Sequence, residues 1–332
     1  MPTAAAARVA AVIPTWNRRD LLATLLRNLA AQAHPFEEII VVDNGSEDDS
    51  AELAVAAGAR VLKMGRNLGF AAAVNRGIEA ADTQWVAVLN NDVTLEPDWL
   101  AKLLEAAAQE DIWFATGKIL QAANHQLVDG TFDEISRGGC ASRCGSGKPD
   151  GPAWNQMRRI RVAPMTAAIF RRQLFCDLGG LDETFGSYME DVDFGLRCAL
   201  AGRGGLFVPA AVAYHRGSAT LGEWKNDTVW RIARNQVILS AKHFRGQPWW
   251  PIVAGQLLWG MVALRHGRGS AFVRGKLAGI RDASRMTRSS TNEYTRKVLA
   301  EVLESSEASI LALARETGFD SYWRAYFWLS RR

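Results

Sequence analysis

Four cysteines in 332 residues are too few for a disulfide framework, and Cys140, Cys144, Cys176 and Cys198 include no C-x-x-C pair of the kind that builds a zinc ribbon. They read as reduced thiols. A glycine-rich dinucleotide fingerprint is also missing: the first strand-to-helix turn is Pro14-Thr15-Trp16-Asn17-Arg18-Arg19, which argues against a nicotinamide enzyme. The stretch Gly145-Ser146-Gly147-Lys148 is half a P-loop, but Pro149 stands where a hydroxyl is needed and Ser142 where the first glycine belongs. Long apolar runs are absent too. Residues 1–7 carry only small side chains and the run after Arg8 stops at Pro14, too short for a secretory leader, so a cytoplasmic protein is expected. Residues 249–264 fall below the ~20 residues of a membrane-spanning helix, and Pro251 and Gln256 interrupt them.

What is present is the material of a large α/β core, 48% hydrophobic and 22% charged, which excludes a disordered or fibrous chain. Short apolar runs at 8–13, 38–42, 60–63 and 84–89 alternate with helical patterns at 20–29, 48–57 and 70–81, the signature of a parallel sheet built from βαβ units. In the first helix Leu21, Leu22, Leu25, Leu26 and Leu29 share a face behind Asp20, a candidate N-cap. Polar residues follow strand after strand, where open α/β sheets bind ligands. Further strands are expected at 158–162, 165–170 and 205–208, and helices at 171–178, up to residue 201, and at 225–245. Residues 136–155, rich in Gly, Ser and Pro, read as a mobile loop or an extended crossing. There is no internal repeat.

Six motifs occur in order: Ile13-Pro14-Thr15-Trp16-Asn17-Arg18; Val41-Val42-Asp43-Asn44-Gly45-Ser46; Asn67-Leu68-Gly69-Phe70 with Ala73, Asn75 and Gly77; Asn90-Asn91-Asp92; Gly179-Gly180-Leu181-Asp182; and Glu190-Asp191. Together, over residues 8–240, they resemble the family 2 glycosyltransferases of GT-A fold, in their bacterial rhamnosyltransferase-like branch. The resemblance implies a mixed, mainly parallel central sheet and inverting transfer of a sugar from a nucleotide diphosphate donor, with Mn2+ or Mg2+. It implies a catalytic domain over 1–245, its donor half about 1–120 and its acceptor half about 121–245. A helical, basic extension over 246–332 follows. Thymidine diphosphate rhamnose is the donor suggested by that branch; a UDP-hexose or UDP-galactofuranose donor, or a silent sugar-nucleotide or glycan-binding protein, are the alternatives.

Residue by residue, Asp43 can accept the imide N–H of uracil or thymine, although Asp-Asn-Gly-Ser is also ordinary turn chemistry. Pro14, Thr15 and Asn17 would line the base pocket, and Asn67, Gly69 and Asn75 with Asn90 and Asn91 complete the expected nucleotide-sugar contacts. Asn90-Asn91-Asp92 resembles the family's D-x-D motif with its first carboxylate replaced by an amide. Asp92 can still serve as the acidic metal ligand because the diphosphate supplies the other oxygens. His215 is the second expected ligand. Asp191 is expected as the base that takes the acceptor's proton, with Glu190, Asp193 and Trp224 as acceptor contacts. The acceptor is expected to be a saccharide or a polyprenyl-linked saccharide.

Charge is uneven: residues 231–332 hold 17 Lys and Arg against 7 Asp and Glu, +10, while the rest is −6. Read as a helix, Val273, Leu277 and Ile280 share a face flanked by Arg274, Arg281, Arg285 and Arg288. This pattern suits an anionic membrane surface on the cell's inner face rather than nucleic acid. Homo-oligomer formation is a further possibility.

Overall fold

The computed structural model describes residues 7–217, 224–286 and 293–330. In chain order its elements are β1 (Val9–Thr15), α1 (Arg19–Ala30), β2 (Glu38–Asp43), α2 (Ser50–Ala56), β3 (Arg60–Lys63), α3 (Phe70–Ala80), β4 (Trp85–Leu89), β5 (Val93–Leu95), α4 (Trp99–Ala106), β6 (Ile112–Gln121), β7 (Asn124–Gly130), β8 (Asp133–Ile135), β9 (Ala141–Arg143), β10 (Arg158–Ile160), β11 (Ala167–Arg171), α5 (Gln173–Leu178), α6 (Glu190–Leu200), β12 (Gly204–His215), α7 (Asn226–His243), α8 (Trp249–Arg265), α9 (Gly269–Ala283), α10 (Glu293–Thr317) and α11 (Ser321–Ser330). Two compact units result: Met1–Asp133 with Gly145–Gly217, and Glu134–Cys144 with Ser218–Arg332. Helix α7 belongs to the second unit.

The first unit is a sheet in the order β10-β12-β6-β11-β4-β1-β2-β3. Strands β2 and β4 run parallel to β1, β3 parallel to β2, and β12 parallel to β6; β11 is antiparallel to both β4 and β6. The C-terminal ends of β1, β2, β3, β4, β6 and β12 therefore open on one edge. Strands β1, β2 and β4 are buried over most or all of their length, as helix-covered parallel strands must be, while the edge strand β3 is partly exposed. Leu22, Leu25, Leu26 and Leu29 of α1 bury against them, as their spacing predicts. Helix α3 lies so close to the sheet that a β-carbon at Gly77 would strike Val12 and come within 3.1 Å of Val42.

Residues 136–155 depart from the loose segment their composition suggests. They contribute β9 and a short 3-10 turn at Pro152–Trp154, and Ser136, Cys140, Cys144 and Trp154 are buried. The reason is side-chain anchoring. Lys118 donates to Asp150 at 2.8 Å in the first unit. In the second, the backbone N–H of Ile135 donates to Ser306 at 2.8 Å, and Arg137 and Tyr326 both bond Glu307, at 2.8 and 2.6 Å.

The second unit packs α9 tightly on α7, through glycines. A β-carbon at Gly275 would overlap the carbonyl oxygen of Trp230 and lie 2.8 Å from Ala233, and one at Gly279 would lie 2.6 Å from the carbonyl oxygen of Arg234. Lys276 reaches inward to Gln236 and Gln256, both at 2.7 Å, and burial brings its pKa down to about 8. Among the described residues no helix is long and apolar enough to cross a membrane. Arg288 lies outside the described residues.

Gly275→Ala should accordingly lower stability by about 1–3 kcal/mol, the usual cost of overpacking, in urea unfolding followed by circular dichroism. Gly151→Ala, where a β-carbon meets nothing within 4 Å, should stay within about 0.5 kcal/mol of the parent.

Candidate active site

The sequence-selected residues of the first unit gather at the carboxyl edge of the sheet. After β1, Thr15 is buried and its hydroxyl accepts from Asn91 at 2.9 Å, tying the ends of β1 and β4 together. Pro14, half-buried, lies in the ladder opposite Val42. Asn17 adopts a left-handed backbone (φ 51°), its N–H donates to Ser46 at 3.0 Å and its side-chain oxygen accepts from the N–H of Glu47 at 2.7 Å. Asn17 thereby joins the loops after β1 and β2 instead of projecting freely.

After β2, Asp43 is only 4% exposed, and one carboxylate oxygen accepts from the N–H of Ser46 at 3.0 Å. Its neighbour Asn44, in the motif but not singled out as a contact, carries the next loop. Its amide donates to Asn67 at 3.1 Å and to the carbonyl of Gly69 at 3.0 Å, and accepts from the N–H of Leu68 at 2.9 Å. Gly69 has φ 93° and sits where a β-carbon would be 2.9 Å from the carbonyl oxygen of Gly186. That same oxygen accepts from the N–H of Ala71 at 3.0 Å. The loop preceding α3 and the loop preceding α6 are thus in backbone contact.

Asn75 does not face the sheet edge as a free amide. It holds the 179–183 turn, donating to the carbonyl of Leu181 at 2.9 Å and to Glu183 at 3.0 Å and accepting from the N–H of Leu181 at 2.7 Å. Past that turn Tyr188 and Met189 are both left-handed, with φ 72° and 68°. Two such non-glycine residues in succession store backbone strain of the kind found at functional sites. They turn the chain into α6, whose first turn holds three carboxylates.

Burial separates the three. Asp193 is fully buried and bound by Arg197 at 3.0 Å, and the same guanidinium donates to the carbonyls of Leu178 and Gly180, so this carboxylate supports the turn and is not placed to meet an acceptor. Glu190 is buried, with Oε2 lacking a hydrogen-bond partner among the described residues. Burial first, and then the neighbouring Asp191 carboxylate, hold its pKa well above the usual carboxylate range. Asp191 alone of the three is partly exposed.

At the end of β4, the N–H of Asn90 donates to the carbonyl of Thr166 at 2.9 Å, and Asn90, Asn91 and Asp92 are partly exposed. The antiparallel pairing of β5 with β12 sets Val93 opposite His215. That register brings Asp92 Oδ1 to 3.2 Å from His215 Nε2 across a sequence separation of 123, at which no spacing announces the pair. His215 Nδ1 lies 2.9 Å from Asp129 of β7, a residue the sequence did not point to. Burial acts to lower the imidazole's pKa, but bonds to Asp129 and Asp92 overcome it and raise it to about 9. A cavity of about 190 Å³ adjoins Asn91 and Asp92, lined also by Thr24, His125, Tyr214 and Arg216.

Asp92 and His215 thus face each other as one carboxylate and one imidazole. Among the described residues no group of three His, Cys, Asp or Glu forms a cage complete in itself. A carboxylate and an imidazole are donor types that a divalent cation accepts. Trp224 lies in the second unit, where its ring stacks on His266 at 3.9 Å.

The chain resembles known proteins in sequence and in structure. Residues 10–138 match the profile of Glycosyl transferase family 2, and residues 85–273 that of Glycosyl transferase family group 2. The chain is similar to an N-acetylglucosaminyl-diphospho-decaprenol L-rhamnosyltransferase of Mycobacterium tuberculosis, 28% identical over 76% of this chain and 90% of that one. It is also similar to the pre-mycofactocin glycosyltransferase of Mycobacterium tuberculosis, 30% identical over 65% of this chain and 44% of that one. Among solved structures, the mannosyltransferase PcManGT of Pyrobaculum calidifontis, in complex with GDP-Man and Mn2+, superposes with a TM-score of 0.55 at 18% identity, covering 96% of this chain and 86% of that one. GalNAc-T7 with UDP, GalNAc and Mn2+ superposes at 0.60 with 17% identity, covering 84% and 55%. These likenesses show the GT-A fold.

Glu190 gives a test of the carboxylate environment. Its folded-state pKa is raised, so the folded chain holds a proton that the unfolded chain releases, and stability falls as pH rises through the window above the ordinary carboxylate value. Glu190→Gln removes this dependence. The variant should gain stability relative to the parent at pH 7.5 and lose that gain at pH 4, measured as urea midpoints at the two pH values.

Proposed function

Since the chain belongs to the family 2 glycosyltransferases, an enzyme family, we propose that it transfers a sugar with inversion from a dTDP- or UDP-linked donor to a saccharide or lipid-linked saccharide. Rhamnose from dTDP-rhamnose is the donor that similarity to the mycobacterial rhamnosyltransferase favours, and that relative's name carries a diphospho-decaprenol acceptor. Attachment at the inner face of the cell membrane, where a lipid-linked acceptor would lie, completes this reading.

The observation that carries the mechanism is the sorting of the carboxylates after the 179–183 turn. Inversion is one in-line displacement, so a single base suffices, and it must meet the acceptor hydroxyl. Glu190 is buried and Asp193 is bound to Arg197, leaving Asp191 as the partly exposed carboxylate. Asp191 takes the hydroxyl proton as the oxygen attacks the anomeric carbon and the bond to the nucleoside diphosphate breaks. Asp191 stands in the first turn of α6, where the helix dipole favours negative charge.

Asp43 supports base recognition, because only Oδ1 is engaged by Ser46 among the described residues and the other oxygen can accept the N3–H of uracil or thymine. Asp92 and His215 would hold Mn2+ or Mg2+, whose charge offsets that of the departing diphosphate. Asp129, on the far nitrogen of His215, fixes the ring so that Nε2 faces Asp92.

Asp191→Asn should leave donor binding intact while lowering kcat on the order of 10²–10⁴-fold, measured with radiolabelled dTDP-rhamnose and a lipid-linked acceptor; near-normal turnover would remove Asp191 from the chemistry.

Asp92→Ala and His215→Ala should weaken Mn2+ binding, read from the paramagnetic resonance of free Mn2+ in the presence of UDP. Asp129→Ala should weaken it by roughly 10–100-fold, as loss of an orienting partner does. Unchanged Mn2+ affinity in all three variants would move the metal elsewhere.

A further inference from the structure

Helices α8 and α9 are built inside out. In a water-soluble helix the large apolar side chains face the core and small or polar ones face solvent. On α9 the inward positions are Ala271, Gly275 and Gly279, packed on α7, while Val273, Leu277 and Ile280 point to solvent, each more than half exposed. On α8 the inward positions include Ala254, Gly255 and Ala263, with Leu258 the one large aliphatic side chain among them. Trp249, Leu257, Met261 and Leu264 are turned outward, between 57 and 68% exposed.

The two outward stripes lie on one side. Helix α8 receives the ring of Phe272 at Gly260, where a β-carbon would be 2.6 Å from the ring, and Lys276 of α9 reaches across to Gln256 of α8. With the inner positions of α9 on α7, those of α8 on Gly138, Tyr322 and the α10–α11 cluster, and Gln256 of α8 bonded to Ser240 of α7 at 3.1 Å, the helices lie side by side. Their large apolar side chains share the opposite surface. Arg274 and Arg281 line the flank of α9 away from α8, Arg285 follows its C-terminal end, and Arg265 ends α8; all four are exposed. The sole acidic residue of the pair is Asp282, engaged by Arg234 and Arg281 at 2.7 and 3.1 Å.

We propose that this α8–α9 face is a docking surface for an anionic lipid bilayer, entered to headgroup depth by Trp249, Leu257, Met261, Leu264, Val273, Leu277 and Ile280, with the arginines on lipid phosphates. It gives residues to the membrane attachment named above and rests on that reading only for the acceptor's location. Charge selects the occupant: an isologous dimer must answer its own charges, and beside Arg281, which is held by Asp282, this face offers the exposed Arg265, Arg274 and Arg285 with no uncommitted carboxylate on either helix. Tryptophan at the helix start suits the bilayer interface, where an apolar ring can keep its N–H wet. An apolar stripe combined with a basic flank supplies the two signals that stable peripheral attachment requires.

Co-sedimentation of the full chain with vesicles of 30% phosphatidylglycerol in phosphatidylcholine tests the face. Binding should appear at low salt, weaken with added salt, and be lost with pure phosphatidylcholine. Arg274→Glu with Arg285→Glu should weaken it on the order of 10-fold or more, and Leu257→Gln with Leu277→Gln should abolish it. All four positions are exposed, so the fold should survive, and the thermal shift given by UDP with Mn2+ should be unchanged in every variant. That shift tests the donor site independently of the lipid face. A chain that stays in the supernatant at low salt overturns the proposal. So does sedimentation velocity showing a dimer that Leu277→Gln dissolves without vesicle binding, which would assign the face to a second copy.

Discussion

Side-chain amides do at the carboxyl edge of the sheet what the peptide ladder does within it. Where strands end, backbone N–H and C=O groups lose their ladder partners and must find others. An asparagine amide offers one donor group and one acceptor, the same pair that a peptide offers. Asn44 bonds the N–H of Leu68 and the carbonyl of Gly69; Asn75 bonds both the N–H and the carbonyl of Leu181; Asn28 of α1 bonds both groups of Leu95 at 2.7 and 2.8 Å. Each stands in for a missing strand. Through Asn28 the edge strand β5 is fixed, and through β5 the register that sets Asp92 beside His215.

A second consequence is that loops distant in sequence form one support. Asn44 shapes the loop before α3, that loop meets the carbonyl of Gly186, and Gly186 leads within four residues to Glu190. Asn75, on α3 itself, secures the turn upstream of the same segment, and Arg197 secures that turn from α6. The partly exposed carboxylate of Asp191 is therefore positioned by the loops after β2 and β3 as well as by α6. Burial of Glu190 next to it completes the division of labour, since a proton held on Glu190 spares the site a second charge.

Much of this edge was legible in the sequence. The strand and helix pattern of the first hundred residues pointed to parallel strands joined by helices, and polar residues at strand ends marked the edge. The roles of Asn17 and Asn75 were less so, because an amide that would bind a nucleotide and one that replaces a peptide group are the same chemical unit. Asp193 looked like its neighbours until Arg197, one helical turn on, was seen to occupy it. Asp129 had no local signal at all, lying 86 residues from His215 and meeting it only through the β6–β7 hairpin and β12. Residues 136–155 misled because Gly, Ser and Pro report backbone preference but not the side chains elsewhere, such as Lys118 and Ser306, that hold the chain down.

The helical unit carries the same lesson in reverse. Periodicity correctly put Val273, Leu277 and Ile280 on one face, and periodicity ordinarily means that such a face is buried. What decides its direction is the opposite face, where Ala271, Gly275 and Gly279 let α9 approach α7 at a distance that larger side chains forbid. Rotating α9 to bury the aliphatic stripe would force Val273, Leu277 and Ile280 into space sized for hydrogen atoms, and would leave the glycines exposed where they add nothing to packing. Close helix packing on one side and large apolar side chains on the other are thus one design, set by where the sequence places its small residues.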